Sequence, residues 1–262
     1  MTLKLDQLPT IVRKQLKGYA AARNDEGYSS SHVYHLTHPH KPSFYLKISP
    51  QVDMHPVRDD YQRLVWLAGK LPVPEVVAYG EDESQVYLLM TALPGVPVYN
   101  LTNPQEREQA VHILAEGLQL LHTLPLDDCP FEQGNDQMIA QAEHNLRRGW
   151  VAEWELDEAR RGREPAALIT ELQQARPLSE ERVFTHGDYC LPNILIHNGQ
   201  LSGFIDIGMA GISDPYRDLA LCGRSLVHNY GPDWLPLLYR AYGLETVDEA
   251  KISFYKLLDE FF

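Results

Sequence analysis

The sequence predicts an α+β protein with two lobes, a small β-rich lobe followed by a larger, mainly helical one. Up to about residue 90, short runs of β-branched and aromatic residues alternate with one stretch of helical periodicity. A turn-rich break follows at residues 91–95, and beyond it helical patterns dominate. We therefore expect a hinge at about residues 91–95 that separates a lobe of residues 1–93 from a lobe of residues 94–262.

The small lobe is predicted to contain three strands and one helix. Apolar residues from Val57 to Leu71 follow helical spacing. Pro72 and Pro74 should end this helix, because proline lacks the N–H group that a helix interior needs. The predicted strands cover residues 33–36, 44–48 and 86–90.

The large lobe is predicted to be a set of helices with an embedded group of strands. Asn198-Gly199 lies between two apolar runs, and this dipeptide is a strong signal for a tight β-hairpin turn. The predicted helices cover residues 110–121, 136–145, 166–175, 234–242 and 247–262, and the predicted strands cover residues 183–185, 194–196 and 203–207.

Composition and charge exclude several classes of protein. The 262 residues include 44% apolar and 23% charged residues, which is typical of a globular chain, and no apolar run is long enough to predict a membrane span. The formal net charge of −13 argues against a nucleic-acid partner. Three well-separated cysteines and the lack of a signal peptide favour the reducing cytoplasm. We expect a monomer or a weak dimer.

One segment of the large lobe carries residues suited to phosphoryl transfer. It contains His186-Gly187-Asp188, then Asn193 five residues after Asp188, and Asp206 at the end of the next predicted hairpin. Protein kinases use a catalytic Asp, a metal-binding Asn and a metal-binding Asp in this order. Mg²⁺ prefers hard oxygen ligands, which an amide and a carboxylate supply. Each residue alone would be interpreted as a turn or capping residue, whereas the joint spacing predicts a kinase site.

A kinase site also needs a cation for the phosphates, and the small lobe offers one. Lys47 lies in the apolar run 44–48, and the following helix carries Asp60 as its best-placed acidic partner, with Asp59 as the alternative. The loop of residues 27–31 precedes the lysine and offers N–H groups and hydroxyls, including that of Ser29, to a phosphate.

The sequence resembles the aminoglycoside phosphotransferases, in particular the aminoglycoside 3'-O-phosphotransferases, which are antibiotic-resistance kinases with a protein-kinase-like fold. The HGDxxxxN core is shared with wider relatives, and the ending Asp259-Glu260-Phe261-Phe262 narrows the choice. The matching segments span nearly the whole chain and cover residues 66–67, 71–74, 186–193, 203–208, 211–214, 218–220 and 257–262.

The resemblance implies an ATP- and Mg²⁺-dependent kinase that phosphorylates the 3'-hydroxyl of aminoglycosides of the kanamycin and neomycin class. It implies Asp188 as the catalytic base and Asn193 and Asp206 as Mg²⁺ ligands. For the nucleotide it implies Lys47 on the α- and β-phosphates, Asp60 beside it, Ser29 on the phosphates, Tyr45 stacked on adenine, and backbone hydrogen bonds to adenine at Thr91 and Leu93. For the drug it implies Asp157, Glu158, Asp259, Glu260 and the carboxylate of Phe262 on the ammonium groups, with Arg224 in the acceptor pocket.

Several acids in one region also suit a polycationic substrate on physical grounds, because carboxylates raise the local cation concentration and form charge-assisted hydrogen bonds. Two positions depart from the family pattern: Asp60 replaces the usual Glu, and Met209 replaces the usual Arg after Asp-x-Gly. Two other functions stay open from the residues alone. They are a kinase of the same fold for another small alcohol (choline, homoserine or a macrolide) and a nucleotide-binding pseudokinase, which the intact Lys47 and Asp188 weigh against.

Overall fold

The computed structural model describes residues 3, 5–24, 31–151, 156–157 and 160–262, and the chain divides into two compact units. Unit 1 comprises Met1–Pro94 together with Ser202–Met209, and unit 2 comprises Gly95–Leu201 and Ala210–Phe262. Unit 1 is β-rich and unit 2 is mainly helical. The chain thus leaves the first unit after Pro94 and returns to it for the eight residues that include Asp206.

Unit 1 is built on a five-stranded antiparallel sheet in the order β1-β2-β3-β5-β4. The three predicted strands are present, each longer than expected, and two further strands, β1 and β4, were not predicted. Leu36, Leu46 and Leu89 are fully buried in the core of this unit. The strands are β1 (Ala20–Asn24), β2 (His32–His38), β3 (Lys41–Pro50), β4 (Val76–Glu81) and β5 (Gln85–Thr91).

Two helices accompany this sheet, α1 (Thr10–Arg13) and α2 (Val57–Leu67). Helix α2 ends four residues before the predicted end at Leu71, and Gly69 follows with a φ of 74°, outside the right-handed helical region. Val65, which the helical spacing placed on the apolar face, is 53% exposed. The buried face of α2 instead includes Asp60 and Arg63, so charged residues occupy part of the expected apolar stripe.

Unit 2 contains six helices among the residues that the structure describes, together with short strands. Five of the helices were predicted, and most of their ends lie within a few residues of the predicted ends. The helices are α3 (Pro104–His122), α4 (Asn135–Arg147), α5 (Pro165–Gln174), α6 (Tyr216–Tyr230), α7 (Leu235–Tyr242) and α8 (Glu249–Leu258). None of the helices in the described part of the chain is long and apolar enough to cross a membrane.

Short strands flank the motif segment 186–193 in the sequence. Strand β7 pairs antiparallel with β10, and β6 pairs antiparallel with β8. Asn198 and Gly199 follow β8 with φ values of 52° and 73°, the conformation that the predicted tight turn requires. The strands are β6 (Val96–Pro97), β7 (Val183–Thr185), β8 (Ile194–His197), β10 (Gly211–Ser213) and β9 (Gln200–Phe204), of which the last three residues belong to unit 1.

Besides helix α2, one predicted strand ends earlier than expected, and one helix was not predicted. The strand predicted at residues 203–207 is β9, which ends at Phe204, because Asp206 adopts a left-handed φ of 59° that breaks the extended conformation. Helix α6 was not predicted at all. Its buried face includes Arg217, Asp218 and Gly223, and these residues hide the apolar periodicity that marks a helix.

Candidate active site

Lys47 lies on β3 and is held by two carboxylates of unit 1. Its Nζ contacts Asp60 Oδ2 on α2 at 3.2 Å, and it also pairs with Asp206 Oδ1. The Lys47 and Asp60 side chains are about nine-tenths buried, whereas the Asp206 side chain is 53% exposed. Of the two predicted candidates, Asp60 and Asp59, it is Asp60 that contacts the lysine.

Burial and charge act in opposite directions on this lysine. Burial alone would lower the pKa of Lys47, but the charges of Asp206 and Asp60 and their hydrogen bonds raise it above the ordinary value. Lys47 is therefore a fixed positive charge, and it faces an exposed carboxylate that can also meet a ligand.

Backbone contacts within unit 1 hold the segment that carries Asp206. The Phe204 N–H donates to the Pro72 carbonyl at 2.9 Å, and the Ser202 hydroxyl donates to the Pro94 carbonyl at 2.6 Å. Gly203 lies between these two bonds, and a Cβ atom there would come within 2.2 Å of the Pro72 oxygen. The motif therefore needs glycine at this position because the backbone of residue 72 approaches so closely.

Asp188 and Asn193 form the second group, in unit 2. Asn193, at the end of a 3₁₀ turn, donates from Nδ2 to the Asp188 main-chain oxygen at 3.0 Å and to Asp188 Oδ2 at 2.8 Å. Both partners are acceptors, so the NH₂ group of the amide must point toward them. The amide oxygen of Asn193 is then directed elsewhere, as a metal ligand at this position requires. The turn itself is bound from α6, since Leu191 N–H donates to Ser225 Oγ at 3.0 Å.

A buried carboxylate, Asp218, holds the two peptide units before Asp188. It accepts from the His186 N–H at 2.7 Å and from the Gly187 N–H at 2.9 Å, and it is fully buried on α6. Gly187 has a φ of 85°, which a residue with a side chain would adopt only with strain. Asp218 lies in the matching segment 218–220, but no role was predicted for it. A charged residue before the apolar run 219–222 was the available signal.

The residues predicted to contact adenine lie near the end of the sheet in unit 1. Tyr45 stacks on His35 of the neighbouring strand, with the ring centroids 4.8 Å apart. The N–H of Thr91 donates to the Glu75 carbonyl at 2.9 Å, so it is already bound. Within the described residues, the N–H of Leu93 has no hydrogen-bond acceptor.

Four of the predicted drug-binding residues form one ion-pair cluster in unit 2. Arg224 pairs with Asp157 at 3.1 Å and also with Asp259, and Asp157 N–H donates to Glu260 Oε2 at 2.8 Å. Arg160 completes the cluster at 2.8 Å from Glu260 Oε1, and the Glu260 side chain is only 3% exposed. Burial alone would lower the pKa of Arg224, but Asp259 and Asp157 raise it. The acids therefore carry resident arginine partners, a feature that sequence analysis did not predict.

Three predicted site residues remain, and the structure describes one of them. Phe262 is half-buried at the C-terminus, and its N–H donates to the Asp259 carbonyl at 3.2 Å. Ser29 and Glu158 lie outside the described residues.

Comparison with known proteins places this geometry in a family context. A family model described as "Phosphotransferase enzyme family" matches residues 21–255. The aminoglycoside 3'-phosphotransferase of Niallia circulans is 39% identical over 240 residues, which cover 91% of each chain. The aminoglycoside 3'-phosphotransferase of Streptomyces fradiae is 36% identical and covers 91% of this chain and 93% of its own.

Solved structures agree with the sequence comparisons. The crystal structure of an aminoglycoside-3'-phosphotransferase of type VIII superimposes with a TM-score of 0.86 at 33% identity, over 96% of both chains. The aminoglycoside phosphotransferase APH(3'')-Id of Streptomyces rimosus, in complex with ADP and streptomycin, gives a TM-score of 0.81 at 25% identity, again over 96% of both chains. These likenesses confirm the predicted α+β, protein-kinase-like fold.

Proposed function

The chain belongs to the phosphotransferase enzyme family, as the motif resemblance indicated, and we propose that it phosphorylates the 3'-hydroxyl of aminoglycoside antibiotics of the kanamycin and neomycin class with ATP. The product would no longer act as the antibiotic, so the enzyme confers resistance. The substrate class rests on the relatives named aminoglycoside 3'-phosphotransferase, whose matches extend over more than nine-tenths of both chains. A cytoplasmic location, where ATP is present, stays a prediction.

The observation that carries the reaction type is the Asp188–Asn193 pair. The amide of Asn193 fixes one carboxylate oxygen of a half-buried Asp188 at 2.8 Å. A carboxylate fixed in this way can accept a hydrogen bond from the 3'-hydroxyl and receive its proton. Its main contribution is orientation, because phosphoryl transfer passes through a loose transition state that needs little early deprotonation.

The nucleotide phosphates meet Lys47 in this proposal. Asp60 keeps the lysine charged and fixed, and Asp206 is the partner that can be exchanged because half of its side chain faces solvent. The residues also fit Mg²⁺, since the exposed carboxylate of Asp206 and the amide oxygen of Asn193 are hard oxygen donors. When bound, Mg²⁺ neutralises charge on the phosphates.

Adenine is assigned to the end of the sheet that carries Tyr45. Leu93 offers an N–H without an acceptor in the described chain, and Thr91 would contribute its carbonyl oxygen because its N–H is already bound. Tyr45 would exchange its stacking partner His35 for the base or stack on its other face. Ser29 remains the predicted phosphate contact.

Drug ammonium groups are assigned to the acidic cluster. The side chains of Asp157 and Asp259 are 40% and 26% exposed, so each can meet a cation while it stays near Arg224. Glu260 is more buried and its partner is Arg160, so a direct contact with the drug requires that this pair opens. Glu158 and the carboxylate of Phe262 complete the proposed set.

A substrate comparison tests the proposed function. The purified protein is incubated with ATP, Mg²⁺ and either kanamycin or neomycin, and ADP release is measured alongside the position of phosphate in the product by ³¹P NMR. A 3'-deoxy aminoglycoside serves as the matched control. We expect ADP release only with acceptors that carry a 3'-hydroxyl. Equal turnover of the 3'-deoxy compound would exclude the 3' position, and ATP binding without transfer to any aminoglycoside would favour the pseudokinase alternative.

A further inference from the structure

His122, Asp218 and Tyr242 form a chain of hydrogen bonds behind the two peptide units that precede Asp188. His122 is the last residue of α3, and its side chain is 4% exposed. Its Nε2 lies 3.3 Å from Asp218 Oδ2, and its Nδ1 lies 2.8 Å from the hydroxyl of Tyr242, the last residue of α7. All three residues belong to unit 2, but they lie 24 to 120 residues apart in the sequence.

Both carboxylate oxygens of Asp218 take part in these hydrogen bonds. Oδ1 accepts from the Gly187 N–H, and Oδ2 accepts from the His186 N–H and faces His122. Burial raises the pKa of Asp218, but the His122 hydrogen bond, the nearby histidines and the His186 N–H together lower it below the ordinary value. Asp218 is therefore an ionised acceptor.

The direction of the hydrogen bonds follows from that charge. An ionised carboxylate can only accept, so His122 must carry a proton on Nε2 and donate to Asp218. In the neutral tautomer Nδ1 is then an acceptor, and the Tyr242 hydroxyl donates to it. The Tyr242 ring also packs edge-on against the imidazole, with centroids 5.6 Å apart and an interplanar angle of 80°. The imidazole is thus fixed in both its tautomer and its rotation.

We propose that His122 is a positioning residue for phosphoryl transfer. Held by Tyr242, it orients the carboxylate of Asp218, and Asp218 in turn fixes the peptide units of His186 and Gly187 that set the direction of Asp188. None of the three residues needs to touch substrate. The proposal rests on the proposed function, since it assigns Asp188 to the reaction.

The test compares two substitutions at one position. His122→Gln keeps a donor near the place of Nε2, whereas His122→Leu removes it at similar volume. We expect His122→Leu to lower kcat roughly ten- to one-hundredfold, as small misplacements of a catalytic group do, with the KM values for ATP and drug within about twofold of wild type. His122→Gln should recover most of that loss. A purely structural role would not produce this recovery.

A second pair of variants provides a matched control. Tyr242→Phe removes the hydroxyl that holds His122, and Tyr255→Phe removes a buried hydroxyl of the same unit that donates to Asn135 Oδ1 at 3.0 Å. We expect a several-fold lower kcat for Tyr242→Phe and an unchanged kcat for Tyr255→Phe. An equal effect of the two changes would overturn the proposal, and so would a His122→Leu variant with a kcat within twofold of wild type. If His122→Leu does not fold, the other three variants decide.

Amide hydrogen exchange separates this inference from the proposed function. We expect exchange at the His186 and Gly187 N–H groups to accelerate at least tenfold in His122→Leu, or in Tyr242→Phe if the former does not fold, and to stay unchanged in Tyr255→Phe. If the wild type phosphorylates no aminoglycoside but exchange accelerates as expected, the proposed function fails and the positioning network stands. Unchanged exchange would overturn the network whatever the activity.

Discussion

The two groups of candidate catalytic residues are held in place by different physical means. In unit 1, Lys47 is fixed by opposite charges on Asp60 and Asp206, the second of them 159 residues away in the sequence. In unit 2, Asp188 follows two peptide units whose N–H groups bind the buried carboxylate of Asp218. Because Lys47 is buried between opposite charges, we expect the stability of the fold to depend on its pairing with Asp60 and Asp206. The hydrogen bonds to main-chain N–H groups make the direction of Asp188 depend on the network around Asp218.

The largest expected effect is on turnover and concerns Asp188. We predict that Asp188→Asn lowers kcat by about 10²–10⁴-fold, because an amide neither orients the acceptor hydroxyl as a carboxylate does nor receives its proton, while nucleotide affinity changes little. The variant should keep the thermal stability of wild type, since Asp188 is only half-buried and Asn can still accept from Asn193. Steady-state kinetics and ATP titration measure both. The control is Asp136→Asn on the surface of the same unit, where the side chain is 72% exposed. Unchanged turnover would remove Asp188 from the mechanism.

Substitutions in the group of Lys47, Asp60 and Asp206 should instead cause a large loss of stability. We predict that Lys47→Met lowers the free energy of unfolding by roughly 3 kcal/mol, because it leaves the buried carboxylate of Asp60 without its cation. Asp60→Asn should cost less, since Lys47 keeps Asp206 as a partner. Urea denaturation of both variants gives the comparison. Lys41→Met is the control, because Lys41 is exposed on the same strand and should change stability by no more than about 0.5 kcal/mol. Equal losses for Lys47→Met and Lys41→Met would contradict the comparison.

The same contrast explains which parts of the fold could be predicted. Strands β2, β3 and β5 carry β-branched and aromatic residues between turn formers, so composition reveals them. Strand β1 consists of Ala20–Asn24 with three alanines and a mostly exposed surface, and it offers no such signal. Helix α6 was missed because Arg217 and Asp218 lie on its buried face. Asp218 binds the peptide units before Asp188, and Arg217 precedes it at another buried position. Charged residues at buried positions therefore interrupt the apolar periodicity on which sequence prediction depends.

The structure brings together several residues that the motif named, whereas partners distant in the sequence were not predicted. Asp60 was predicted as the partner of Lys47 and Asp206 as a Mg²⁺ ligand, and the structure brings the three side chains into contact. Asp188 and Asn193 were also predicted, and they are hydrogen-bonded. The arginine partners of the predicted drug-binding acids were not foreseen as ion pairs, because nothing in the local sequence relates Arg160 to Glu260, 100 residues further on. Long-range pairing of this kind is decided by tertiary structure alone.

A smaller effect is expected from the close approach at Gly203. We predict that Gly203→Ala destabilises the protein by about 2 kcal/mol, because the new methyl group meets the Pro72 oxygen, which is main chain and cannot move aside. The shift of β9 should also weaken ATP binding, since Asp206 follows three residues later. Thermal denaturation and ATP titration measure the two effects.

Gly69→Ala is the matched control for this change. Gly69 also has a positive φ, 74°, but in the described part of the chain no atom beyond its two neighbouring residues lies within 4 Å of the place of its Cβ, so only the backbone conformation resists alanine. We expect a loss of about 1 kcal/mol with unchanged ATP affinity. If Gly69→Ala destabilised the protein as much as Gly203→Ala and weakened ATP binding equally, the close approach at Pro72 would not be what holds Asp206.

The smallest expected effect is on the pH dependence of stability and concerns Asp82. At the surface of unit 1 this carboxylate accepts hydrogen bonds from main-chain N–H groups, as Asp218 does in the interior of unit 2. Its Oδ1 accepts from the N–H groups of Ser84 and Gln85 at 2.8 and 2.9 Å, and its Oδ2 accepts from the Tyr87 hydroxyl at 2.7 Å. These hydrogen bonds lower the pKa of Asp82 to about 2, and the bond from the Ser84 N–H contributes most. A carboxylate whose pKa is lower in the folded than in the unfolded chain stabilises the fold above pH ~4 and loses this contribution as the pH falls toward 2.

Asp82→Asn removes the titrating group, so the difference in Tm between wild type and variant should be largest near pH 6 and shrink steadily as the pH is lowered toward 3. Solvent screening keeps the effect small, because Asp82 is exposed. Tyr87→Phe removes only one of the bonds and should leave most of the wild-type pH dependence, since the N–H groups continue to favour the charged carboxylate. A Tm difference between wild type and Asp82→Asn that stays constant from pH 6 to pH 3 would show that main-chain N–H groups do not hold a charge at this turn, and it would weaken the same interpretation of Asp218.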